Sequence, residues 1–274
     1  MDYYKYEFQT DITNNEVMIA LLSTLPFDTF VESETGFEAF IPSVDINAST
    51  EEEIHELLPN FIFSLEKEFI KGENWNEVWE TNFHPIQVDD FCGIRAHFHE
   101  PLKNVEHELI ITPKMAFGTG HHETTHMVIQ MMKDIDFKSQ KVFDYGCGTG
   151  VLAILASRLG AKSVDAIDIE EASWLSTMEN CETNMVKNVN AFQGMLDVVQ
   201  NRSYGIVLAN INRNVILDSL ATLSRMVEEN GTVVFSGILK SDEAILKNAL
   251  NEHGFTCTKT FERNKWIALQ CQPV

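Results

Sequence analysis

Apolar and polar residues alternate with a period of two from Tyr4 to Phe8, then take helical spacing from Asn15 to Ser23. Two further strand-like runs, Phe30 to Ser33 and Phe37 to Ile41, flank a turn at Glu34-Thr35-Gly36. Ser49 and Thr50, with Glu52 and Glu53 behind them, predict a second helix through about Leu58. Hydroxyls satisfy the first unpaired N–H groups of a helix, and acids complement its positive end. Phe61 to Ile70 then returns as a strand, and the order βαββαβ predicts a ferredoxin-like α+β domain over residues 1–72. Lys71-Gly72 breaks the pattern, and Asn74 to Glu80 reads as a short connecting helix, carrying Trp75 and Trp79, within a linker at 73–82. Short apolar runs from His84 to Ile111 predict a small β layer at the start of a second domain, 83–274. Beyond it, strands expected at 141–146, 163–168, 189–193, 205–210 and 231–237 alternate with helices, and a final pair is expected at 255–261 and 265–271. That rhythm predicts a doubly wound α/β sheet closed by an antiparallel hairpin.

The first strand of that sheet runs into Asp144-Tyr145-Gly146-Cys147-Gly148-Thr149-Gly150 before an apolar helical pattern resumes. Glycines without Cβ atoms let the backbone turn tightly and approach a ligand, and the helix that follows offers free N–H groups. Twenty-two positions after Gly146, Asp168 closes the next strand, where a carboxylate can accept from ribose hydroxyls. The glycine spacing alone leaves two ligands open, since Gly148 to Ala153 also fits the dinucleotide form GxGxxA. Asp144 separates them: at the strand end its charge would repel the pyrophosphate of NAD, whereas the sulfonium and amino group of S-adenosylmethionine suit an acid there.

Composition sets the scale. The 274 residues are 44% hydrophobic, ordinary for a globular chain of one large or two modest domains. Five cysteines, at 92, 147, 181, 257 and 271, have no CxxC spacing, which argues against a disulfide framework or a zinc ribbon, and Cys147 reads as a small residue in the turn. No apolar stretch approaches the ~18 residues of a membrane span and no leader pattern opens the chain, so no membrane association and a cytoplasmic location are expected. Of the net charge of −21, residues 1–72 carry −12, from 15 acids against three lysines. Such a field repels nucleic acid and steers a basic protein toward the molecule, although a solvated acidic surface has the same composition.

His122-Glu123-Thr124-Thr125-His126 matches HExxH, the helical zinc site of metalloproteases, which makes a zinc hydrolase a rival to the nicotinamide and methyl-transfer readings. Its context disagrees. The pattern follows the flexible Phe117-Gly118-Thr119-Gly120, and the metzincin extension needs glycine and histidine where Ile129 and Met132 stand. No bound metal is expected. Pro113 to Thr125 reads instead as a glycine-hinged lid running into a helix through Met132, with Thr124 and Thr125 able to offer hydroxyls to a ligand, the plainer alternative being an ordinary helix cap by Thr119 or Thr124.

Met115-Ala116-Phe117-Gly118-Thr119-Gly120-His121-His122-Glu123-Thr124-Thr125 is similar to the signature loop of the PrmA family, methyltransferases acting on large-subunit ribosomal protein eleven. The resemblance covers the chain in order, through DxGxGxG, Asp168 and Leu208-Ala209-Asn210-Ile211, while the first 72 residues match in architecture only. It implies a Rossmann-like, seven-stranded methyltransferase sheet behind the ferredoxin-like domain, and S-adenosylmethionine as cofactor, leaving as S-adenosylhomocysteine. By position it implies that Thr125, Gly146, Asp168 and Asn210 contact that cofactor. It further implies a basic ribosomal protein as substrate, presented by the first domain in more than one orientation so that several amines are each trimethylated. Asn210-Ile211-Asn212 departs from the Asn-Pro-Pro-aromatic form of enzymes that methylate amides or base amines, which favours a lysine or N-terminal amine. Such amines have pKa values of about 10.4 and 8, so the nucleophile must lose a proton before in-line attack, and desolvation disfavours its ammonium form. No side chain in the sequence stands out as the general base.

Overall fold

The structure, a computed structural model, describes residues 2–47, 49–71, 84–112, 120–199 and 201–274, and it divides into two units, Met1–Asn82 and Phe83–Val274. The expected linker helix at 74–80 and the loop residues 113–119 lie outside the described residues.

In the first unit, β1 (Tyr3–Gln9), α1 (Asn15–Leu22), β2 (Thr29–Ser33), β3 (Gly36–Pro42), α2 (Thr50–Leu57) and β4 (Ser64–Ile70) follow the βαββαβ order. The sheet is antiparallel throughout, in the order β2-β3-β1-β4. Alternation places Tyr6, Phe8, Phe37, Ala39 and Ile41 in a core with Met18 and Leu22 of α1 and Ile54 of α2. β4 begins at Ser64 and not at Phe61, because its partner β1 ends at Gln9, which pairs with Ser64.

The second unit starts with a three-stranded sheet, β5 (Ile86–Val88), β6 (Cys92–Arg95) and β7 (His107–Ile110). There follow α3 (Glu123–Met132), β8 (Lys141–Tyr145), α4 (Val151–Arg158), β9 (Ser163–Asp168), α5 (Glu171–Thr183), β10 (Val189–Gln193), β11 (Tyr204–Asn210), α6 (Arg213–Met226), β12 (Val227–Leu239), α7 (Glu243–Glu252), β13 (Phe255–Arg263) and β14 (Trp266–Pro273). The seven strands from β8 onward form one sheet in the order β10-β9-β8-β11-β12-β14-β13, parallel except where β14 pairs with its neighbours. β12 starts four residues before the expected 231, since Val227 already takes an extended ψ of 131° at the end of α6.

Both faces of this sheet are buried, as a parallel sheet requires. Val142, Val164 and Leu208 join the core with Met127 and Met131 of α3 and Ile154 of α4. Phe143, Ile167 and Val207 join the second core with Leu220 of α6 and Leu246 of α7. The chain winds outward from β8 in one direction and from β11 in the other, so a crevice opens at the carboxyl ends of these two adjacent strands, where open α/β sheets bind ligands. No helix among the described residues is long and apolar enough to cross a membrane.

Candidate active site

The glycine turn after β8 adopts backbone angles that side chains resist. Gly146, Gly148 and Gly150 have φ of 74°, 54° and 81°. The turn is pinned to β9, since Gly146 N and Cys147 N both donate to the Ile167 carbonyl, at 2.9 and 3.0 Å. It is also pressed against the chain that leaves β11: a Cβ on Gly146 would lie 2.2 Å from Ile211 Cγ2. Gly237, in β12, closes on the same residue from the other side, where a Cβ would lie 2.2 Å from the Ile211 carbonyl oxygen. Asp168 completes the turn. Its Oδ2 accepts from Gly148 N at 2.9 Å and its Oδ1 from Glu170 N at 3.0 Å, which orients the carboxylate at the crevice.

Asp144 does not stand where its charge would meet a ligand directly. It is 1% exposed beneath the turn, and its Oδ2 accepts from Ala153 N at 3.0 Å. Gly150 precedes α4 without a capping side chain, so Asp144 supplies the acceptor that the helix start lacks. Burial, with the nearby charge of Asp168 adding to it, pushes the Asp144 carboxyl up to about 7. A carboxyl whose folded pKa is raised binds its proton more tightly in the native state. Its stabilising effect is complete below the ordinary carboxylate range and is lost as pH rises from about 4 to about 7. Asp144→Asn keeps an oxygen for Ala153 N but cannot ionise. It is expected to abolish the part of the stability loss between pH 5 and pH 8 that Asp144 causes, on the order of a few kcal/mol, measured by urea unfolding at both pH values. An unchanged pH dependence would show that Asp144 is ionised throughout.

Above the turn lies a cavity of about 590 Å³. Thr125, Gly146, Asp168 and Asn210, four residues spread over the sequence, all line it. Thr125 comes from the first turn of α3, and Asn210 ends β11. Asn210 Nδ2 donates to Thr125 Oγ1 at 3.2 Å, which leaves the threonine O–H as a donor toward the cavity. The wall also includes residues that the sequence reading passed over: Leu152, Ile169, Met195, Gly237 and Trp266. Ile169 and Met195 are 62% and 61% exposed, apolar surface held open beside Asp168. Ile169 follows the ribose-type acid directly, and Gly237 is a glycine inside a strand, signals that point to the site once the sheet order is known. Among the described residues Asp168 is the one carboxylate on the wall, and no lysine or arginine lines it. A cation is favoured by that wall, and a pyrophosphate would find no counter-charge among these described side chains. Cys147 Sγ accepts from Thr177 Oγ1 at 3.3 Å, and burial raises its thiol well above the ordinary range, which suits an inert small residue.

The residues of the HExxH pattern are engaged separately. His122 is the N-cap of α3, and Thr124, one of the two expected caps, lies inside the helix, while Thr119 is outside the described residues: the His122 Nδ1 accepts from Thr124 N at 3.3 Å and lies 2.8 Å from Thr124 Oγ1. Its ring meets Trp266 edge-on, with centroids 4.7 Å apart, on the cavity wall. Glu123 bonds to Arg263 and Asn264, and among the described residues no three His, Cys, Asp or Glu side chains are grouped to hold a metal ion.

Residues 9–273 match the family model described as ribosomal protein L11 methyltransferase (PrmA). The chain belongs to the PrmA family. A PrmA relative, the ribosomal protein L11 methyltransferase of Porphyromonas gingivalis, is 37% identical, with the match spanning 100% of this chain and 98% of that one. The Bacteroides fragilis protein of the same name is 35% identical over 98% of this chain and 99% of its own. Among solved structures, a ribosomal protein L11 methylase from Lactobacillus delbrueckii subsp. bulgaricus superposes with a TM-score of 0.65 at 28% identity, covering 70% of this chain and 99% of that one. Membership in the PrmA family removes the dinucleotide and zinc-hydrolase readings, and Thr125, Gly146, Asp168 and Asn210, described residues of the motifs that carried the resemblance, line the cavity.

Proposed function

We propose that this chain methylates lysine side chains, the N-terminal amine, or both, of ribosomal protein L11 in the cytoplasm, with S-adenosylmethionine as methyl donor. The observation that carries the reading is the convergence of Thr125, Gly146, Asp168 and Asn210 on one cavity at the carboxyl edge of the sheet. Its volume is in the range of small-molecule sites, and the residues present fit this cofactor. Gly146 lets the backbone come close, Asp168 offers lone pairs to ribose hydroxyls, and the Thr125 hydroxyl can donate to a carboxylate at the methionine end. When bound, S-adenosylmethionine supplies a methyl group on a cationic sulfur, transferable to a neutral amine.

The chain's own residues do the rest. Ile211, Val215 and Trp266 line the cavity with apolar surface, which excludes water and disfavours the charged form of an incoming ammonium. Holding both reactants in line replaces a bimolecular encounter. The first unit is the substrate-recognition domain in this reading, its acidity matched to a basic ribosomal protein and opposed to direct nucleic-acid binding. Incubating the purified chain with methyl-labelled S-adenosylmethionine and unmodified L11 is expected to label L11, with the intact mass rising in methylene steps. Label that never enters L11 while the cofactor binds would overturn the substrate assignment.

A further inference from the structure

The glutamate of the HExxH pattern is not absorbed by cofactor binding, and its contacts give it a different task. Glu123 is the first residue of α3, the helix whose opening turn carries Thr124 and Thr125 to the cavity. Its Oε1 accepts from Asn264 Nδ2 at 2.7 Å, and its Oε2 pairs with Arg263 Nε. Arg263 and Asn264 belong to the tight turn between β13 and β14, where Arg263 pairs with Trp266 across two residues. Asn264 and Lys265 have φ of 45° and 70°, the left-handed pair that a two-residue hairpin demands. The same turn presents Trp266 to the cavity. A second strut joins the two elements one helical turn further on. Arg263 Nη1 donates to His126 Nε2 at 3.3 Å, which puts the ring proton on Nδ1. Burial first, and then the charge of Arg263, lowers the His126 pKa, consistent with a neutral acceptor.

We propose that Glu123 is a positioning residue, a latch that fixes the Thr125 wall of the cavity against the Trp266 wall by gripping the β13-β14 turn. The inference rests on the cavity being the S-adenosylmethionine site. The latch acts through Thr125 and Trp266 and touches no reactant itself. An ion pair this exposed adds little to global stability, so its effect belongs in ligand affinity and not in melting temperature.

Calorimetry of the unaltered chain with S-adenosylmethionine comes first, and binding there establishes the site independently of the latch. Glu123→Ala is then expected to weaken that binding about five- to twentyfold, as loss of a coupled contact does. The melting temperature should move by no more than about 2 °C. KM for the cofactor should rise in step while kcat stays within about threefold, the signature of weakened binding. Glu123→Gln, which keeps an oxygen for Asn264 Nδ2, should recover most of the affinity. The double variant Glu123→Ala with Arg263→Ala should bind no more weakly than Glu123→Ala alone. Without ligand, amide exchange at Thr124 and Thr125 should be faster in Glu123→Ala than in the unaltered chain. The latch is refuted if Glu123→Ala binds within twofold of the unaltered chain, or if the two single losses multiply in the double variant. Should Glu123→Ala fail to fold, Asn264→Ala and Arg263→Ala carry the same comparison from the hairpin side, and unchanged affinity in both refutes it equally.

Discussion

Replacing Asp168 by alanine is expected to weaken S-adenosylmethionine binding about a hundredfold while leaving the fold in place. A hydrogen bond to a charged group is worth about 1.5–3 kcal/mol, and a ribose offers this carboxylate two hydroxyls. Part of the loss would come through the turn itself, because Gly148 N and Glu170 N are held by the same two oxygens. Asp168 closes β9 at the sheet edge, so water can replace it on those N–H groups and the core below is untouched. Isothermal calorimetry against the cofactor, with circular dichroism as the fold control, checks both halves. Asp168→Asn, which retains one acceptor, should fall between the two. An alanine variant of unchanged affinity would remove Asp168 from the site.

A chain starting at Phe83 is expected to bind the cofactor within twofold of the full protein and to methylate L11 at least about a hundredfold more slowly, the loss of an effective concentration and of charge steering. Each unit has its own core. Among the described residues, the buried members of the first unit's apolar cluster run from Tyr6 to Leu58, and those of the second unit's two clusters from Val88 to Cys271. Among the described residues the clusters of the second unit take no member from the first, so the cofactor cavity should survive the truncation. Steady-state rates with purified L11, beside calorimetry on the same preparation, separate recruitment from folding. Equal rates for the two chains would end the recruitment role of the first unit.

Most of the architecture was legible because two periods dominate the sequence. Strands with every second residue apolar, as in Tyr6 and Phe8, and fully apolar strands, as at Val207 to Ala209, are distinct physical patterns that the structure reproduces. Glycines at 146, 148 and 150 carried the turn because each has a positive φ that other residues avoid. Asp144 was misplaced for a different reason. Strand alternation gives the face a side chain takes, but not whether the helix that follows lacks its own cap and borrows one. Trp266, Gly237 and Met195 stayed hidden because they reach the cavity through the order in which strands pair, and pairing order is a long-range property that no local window contains. The HExxH pattern is the converse case, in which local spacing alone suggested a joint task, the flanking sequence argued against it, and the tertiary structure employs the residues separately.

Ile211 is wedged between Gly146 and Gly237, each of which leaves it room only by having no side chain. The two clashes differ in kind: a larger residue at 146 would strike the Ile211 side chain and demands a smaller residue at 211, a larger residue at 237 would strike the Ile211 backbone, which no side-chain change relieves, and trimming Ile211 alone leaves a void in the floor of the cavity. A floor locked in this way exists before any ligand arrives. The cofactor then meets a surface that needs no remoulding, and the free energy of its contacts goes into affinity instead of into ordering the protein.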